Sequence, residues 1–147
     1  MHKLRIFMSI DHKLKWLLLE SYFYLFKARI LKLRAFPRLA PSLGEQMQET
    51  PLQLNFNKRK ELSEISQAIH LASRYTLWES ECLVKAIAAM KMLERRNMES
   101  TLYLGTAKDD SGKLIAHAWL RSGPYFITGA EGMEKFTVVH TFAKNIS

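Results

Sequence analysis

The chain has 147 residues, 48% of them hydrophobic and 11% aromatic, with a formal net charge of +8. That length and composition exclude a disordered chain and suffice for one domain with its own core, or one domain plus an arm. A single cysteine, Cys82, excludes an intramolecular disulfide and with it the small secreted scaffolds stapled by such bridges.

The charge is unevenly placed. Residues 1–40 carry nine Lys or Arg against Asp11 and Glu20, so +7 of the +8 lies there. The remainder is near neutral, and no zinc-finger spacing, RNP-like motif or glycine-rich phosphate loop is present, so nucleic acid is not an expected partner. The opening Met1-His2-Lys3-Leu4-Arg5 lacks an apolar run and cleavage site behind it, which makes the cytoplasm the expected location.

In chain order, the first segment reads as helical from Lys3 to Ala35. Leu14, Leu17, Leu18, Tyr22, Leu25 and Phe26 recur at helical spacing, with Ser21 as the exception in the stripe. Lysines and arginines punctuate it, and the apolar run Trp16–Phe26 is too short to span a bilayer. Such a segment packs on the domain or docks on a membrane surface or partner protein. His2 and His12 read as solvent-facing. Pro37, Pro41 and Gly44 predict a linker or extended strap that continues through Pro51 to Phe56. Helices are predicted over 58–75, on Leu62, Ile65, Ile69 and Ala72, and over 81–97, on Leu83, Ile87 and Met90, with Ser80 as N-cap. The period then changes. Strands are expected over 101–106, 114–121, 125–128 and 136–142, with turns at Asp109–Gly112 and Ser122–Pro124. Helices followed by an antiparallel meander give an α+β class. The organisation reads as a basic helical arm (1–40), a strap (41–57) and a main domain (58–147).

Two positions point to chemistry. Cys82 opens a helix, where the partial positive charge of the helix end favours a thiolate. His117 follows in a strand, Ala116-His117-Ala118-Trp119-Leu120. An imidazole there can take a thiol proton and pass it to a leaving amine. Glu79 and Glu81 near the helix start partly oppose the thiolate. Trp119 reads as a core residue. A metal site is not expected: His70, His117, His140 and Cys82 lack the spacing of a zinc motif, and no cofactor is implied.

The words Glu81-Cys82-Leu83-Val84-Lys85-Ala86-Ile87-Ala88, the helix end near Arg95-Arg96-Asn97-Met98, the strand end Leu104-Gly105 and then Ala116-His117-Ala118-Trp119-Leu120 resemble a known family. They are similar to the transglutaminase-like cysteine peptidases of lasso-peptide biosynthesis, relatives of the microcin-maturation protease. The resemblance covers about residues 60–145. It implies a transglutaminase-like, papain-like core and a cysteine endopeptidase that removes the leader from a ribosomally made precursor peptide. A separate ATP-dependent lasso cyclase then closes the macrolactam. The absence of a fused winged-helix domain implies a separate leader-recognition protein.

The resemblance assigns Cys82 as nucleophile, His117 as general base and acid, and the Cys82 backbone N–H to the oxyanion hole; it assigns no second donor, for which the Trp78 indole is a candidate. It also implies an acid twelve residues after the histidine. That position is Gly129, preceded by Thr128. The Thr128 hydroxyl, the Gly129 carbonyl or Glu131 is left to orient His117, while Glu131 and Glu134 otherwise read as solvated charges. Residues 37–56 and the loop before Cys82 are the expected walls of the substrate pocket. Two rival readings share these residues: a transglutaminase-like acyl transferase and a degenerate module that binds a peptide or partner without catalysis.

Overall fold

The computed structural model describes residues 12–53 and 56–146. The predicted helical start over residues 3–11 and the placement of His2 lie outside them. Four helices, α1 (His12–Lys32), α2 (Phe36–Leu43), α3 (Arg59–Ser73) and α4 (Cys82–Arg95), accompany five strands, β1 (Glu45–Gln46), β2 (Ser100–Lys108), β3 (Leu114–Ser122), β4 (Tyr125–Thr128) and β5 (Thr137–Lys144). The class is α+β. All pairings in the sheet are antiparallel, in the order β1-β5-β2-β3-β4.

The predicted meander holds for β2, β3 and β4, but β5 crosses back to lie between β1 and β2. That placement gives β5 hydrogen-bonding partners on both edges, which a fourth meander strand beside the four-residue β4 would lack. Residues 36–43 differ from the expected extended connection. Pro37 stands in the first turn of α2, where its missing N–H costs nothing, and Leu39, Ala40 and Leu43 are buried.

The helices are layered. α4 packs on β2, β3 and β4, α3 lies beside it against β4, and α1 crosses the outer side of α3 and α4. One continuous core runs through all three layers, including Leu25, Ile65, Ile87, Leu102, Leu120 and Phe142. The Ser21 interruption in the α1 stripe has a packing reason. Its hydroxyl returns to the Leu17 carbonyl at 2.7 Å and meets the Met92 sulfur at 3.6 Å, so a small residue fits where a longer one would hold α1 off α4. Glu20 fastens the same contact with Arg96 at 2.6 and 2.7 Å and Arg95 at 3.1 Å.

The outer side of α1 is also apolar. Trp16, Leu19, Phe23, Phe26, Ile30 and Leu33 follow one another at steps of three and four, and each is between 46% and 71% exposed. Among the described residues, no helix is long and apolar enough to cross a membrane.

Candidate active site

Cys82 is the first residue of α4. The N-cap is Glu81, in extended backbone and without a side-chain cap, rather than Ser80. The Ser80 hydroxyl is spent on Thr76, at 2.9 Å. The turn is held by Glu79, whose carboxylate accepts the Glu81 N–H at 2.7 Å and binds Lys32 of α1 at 3.0 Å. Burial raises the Glu79 pKa, but Lys32, the Glu81 amide and Arg29 outweigh it and hold the carboxyl below its ordinary value. Trp78 packs on Tyr22 and Phe26 of the same helix, with ring centroids at 4.9 and 5.3 Å. α1 therefore clamps the loop that presents the cysteine. Trp78 is not among the residues lining the cleft described below. Its indole N–H is buried and has no hydrogen-bond partner among the described residues.

His117 stands on β3 opposite Gly105. β4 pairs only with Leu120–Ser122, so His117 lies past its end, where residues 129–131 leave the sheet. Its Nε2 is 2.7 Å from the Gly129 carbonyl oxygen. A carbonyl only accepts, so Nε2 carries the proton and Nδ1 is left as the basic nitrogen. The ring is flanked by Phe136 and Trp119, at centroid distances of 5.0 and 5.7 Å. Gly105 makes room for both: a Cβ there would come within 2.9 Å of the Phe136 Cβ and the Trp119 ring. Trp119 itself is buried, as expected.

Gly129 also has to be glycine. Its φ is +73°, and an added Cβ would collide with the Ala118 carbonyl and lie 2.9 Å from the Trp119 Cβ. Of the three groups left to orient His117, the Gly129 carbonyl is the one bonded to the ring. Thr128 is buried, and its hydroxyl has no hydrogen-bond partner among the described residues. Glu131 is exposed at the cleft and Glu134 is exposed beyond it.

Cys82 and His117 line one cleft of about 460 Å³ together with Ser66, His70, Lys85 and residues 126–131. Cys82 is half-buried, and no hydrogen bond joins its sulfur to the His117 ring among the described residues. Free thiol enzymes often hold this pair loosely before substrate arrives. A half-buried thiol in one cleft with an imidazole whose Nδ1 is free to take a proton has the chemistry for attack on a carbonyl.

The far wall was missed at the sequence level. Ser66 and His70 are four residues apart on α3, and Lys85 is one turn beyond Cys82 on α4, so each pair shares a helix face. The Ser66 hydroxyl donates to the Ile127 carbonyl at 2.6 Å and ties α3 to β4. Burial lowers the His70 pKa, with help from the Lys85 and Arg74 charges and against a hydrogen bond to the Ile127 backbone. The expected walls lie elsewhere. None of the described residues in 37–56 lines the cleft. Instead, buried Arg121 holds this segment at the far end of β3, donating to the Thr50 carbonyl at 3.0 Å and the Pro51 carbonyl at 3.3 Å. His140 sits between Phe36 and Phe142, away from the cleft. Among the described residues, no three His, Cys, Asp or Glu side chains are grouped to hold a metal ion.

A helix-start cysteine, a strand histidine and a hydrogen-bond acceptor past the next strand's end form an arrangement of the kind that thiol-acyl hydrolases and transferases use. The comparison of sequences agrees: the transglutaminase-like superfamily description matches residues 29–141, and the chain belongs to that superfamily. The superfamily includes cysteine proteases and acyltransferases. Comparison with curated proteins gave no match, and neither did comparison with solved structures.

Proposed function

We propose that the chain is a cysteine endopeptidase that removes the leader from a ribosomally synthesised lasso precursor peptide, acting before a partner ATP-dependent cyclase forms the macrolactam. The observation that carries the reading is the His117 Nε2–Gly129 carbonyl contact of 2.7 Å in the cleft that holds Cys82. It gives the imidazole one defined tautomer without a carboxylate. Superfamily membership supports cysteine-based acyl chemistry, and the sequence resemblance supports the substrate class.

In this reading the Cys82 sulfur attacks the scissile carbonyl and its proton passes to Nδ1 of His117. The oxyanion takes the Cys82 backbone N–H, which no side chain caps. Collapse of the adduct breaks the C–N bond, and Nδ1–H protonates the leaving amine. Water, giving its proton to Nδ1, then hydrolyses the thioester and frees Cys82.

The same reading places a separate recognition protein on the exposed apolar stripe of α1. A membrane surface is the alternative occupant, which vesicle flotation would reveal.

The test is cleavage of a candidate precursor in the presence of its recognition protein. Wild-type chain is expected to yield free leader acid, while Cys82→Ala and His117→Ala yield none and still bind leader. Isopeptide product with an added primary amine would instead establish acyl transfer. Cleavage that survives in Cys82→Ala would reject the proposal.

A further inference from the structure

Among the described residues, Lys85 is the one lysine or arginine that lines the cleft. It stands one helical turn past Cys82, half-buried, and has no carboxylate within 4.0 Å among the described residues. Elsewhere, Lys13, Lys32, Lys91, Arg95, Arg96 and Lys144 each pair with a glutamate. Among the described residues, the one carboxylate that lines the cleft, Glu131, is exposed on the loop after β4. The neighbouring His70 gives Lys85 no negative partner. Its imidazole is driven toward the neutral form by burial and by Lys85 itself. Thr128 adds a buried hydroxyl with no partner among the described residues, on the wall that also carries Gly129.

A half-buried lysine that lines a cleft with no carboxylate within ion-pair reach attracts an anion from outside. We propose that Lys85 is a substrate-binding residue, forming a subsite that receives a carboxylate of the peptide beside the bond that Cys82 attacks. The substrate class is then a peptide with an acidic side chain at that position, and Lys85 acts on binding rather than on proton transfer. This inference rests on the reading of Cys82 as the attacking group.

The test uses Cys82 as its own reporter, since it is the only thiol in the chain. Rates of alkylation by iodoacetate and by iodoacetamide are measured by mass spectrometry on the full chain, with free cysteine as reference in the same buffer. The two reagents differ in that one carries a carboxylate. The iodoacetate-to-iodoacetamide ratio is expected to exceed that of free cysteine about tenfold at low salt and to fall as salt rises. Lys85→Met is expected to return the ratio to the reference, and Lys85→Arg to keep it. A wild-type ratio equal to the reference, or a raised ratio that Lys85→Met leaves unchanged, overturns the subsite. Reactive Cys82 with no preference for the carboxylate rejects the subsite alone. Cys82 inert to both reagents rejects the endopeptidase reading and the subsite with it.

Discussion

His117 is oriented by a backbone atom, and that moves the demand for a particular side chain onto Gly129. A carboxylate at that place would orient the ring and offset its charge once protonated, whereas a carbonyl supplies orientation and only a dipole. Any side chain at Gly129 has to adopt a left-handed backbone and push against the Ala118 carbonyl. Gly129→Ala is therefore expected to cost about 1–2 kcal/mol from the backbone alone, and more from the collision. It should also loosen the ring and lower the rate of Cys82 alkylation. Thermal unfolding and alkylation of the same sample separate the two effects. Full stability with unchanged thiol reactivity would show that the carbonyl contact does not matter. Gly105 plays the matching part on the other side of the ring, by giving Trp119 and Phe136 the space to flank it.

At the scale of elements, α1 is part of the fold rather than an appendage. It buries Leu17, Leu25 and Ala28, and it fixes the loop before Cys82 through Lys32–Glu79 and through Trp78. Its strongest polar tie is Glu20. Burial raises the Glu20 pKa, but the hydrogen bond and charge of Arg96, with Arg95, pull it below the ordinary carboxylate value. A carboxyl with a lowered folded pKa stabilises above its unfolded pKa, and that contribution is lost as pH falls through the folded one. Glu20→Gln is expected to cost about 2 kcal/mol at neutral pH and nothing at a pH below both values. Denaturant unfolding at several pH values checks this. An equal loss at every pH would assign the effect to packing instead.

Across the whole molecule, local chemistry was readable and non-local geometry was not. The helix start at Cys82, the strand at His117 and the short strand ending at Thr128 follow from periodicity and turn residues that act over a few positions. The twelve-residue step from His117 to Gly129 came from the family resemblance, and the structure puts a backbone carbonyl there in place of the acid. The position of β5 between β1 and β2 depends on pairing across distant segments, which hydrophobic alternation does not encode. Pro37 and Pro41 concealed α2: Pro37 lies in its first turn, where a proline resembles one in a loop, and Pro41 lies inside it, where a proline ordinarily argues against a helix. The cleft wall of Ser66, His70 and Lys85 required knowing that α3 packs beside the start of α4. The strap was misplaced for a related reason: it is bound by buried Arg121, whose long-range hydrogen bonds leave no local mark in the sequence.

The proposed function depends most on activation of the Cys82 thiol by the His117 imidazole. It is tested most directly by the rate of Cys82 alkylation by iodoacetamide at neutral pH, in wild-type chain and in His117→Ala of equal thermal stability. The wild type is expected to react about tenfold faster than the variant, since an adjacent imidazole draws the proton from the thiol. Equal rates in the two proteins, both matching free cysteine, would contradict the account.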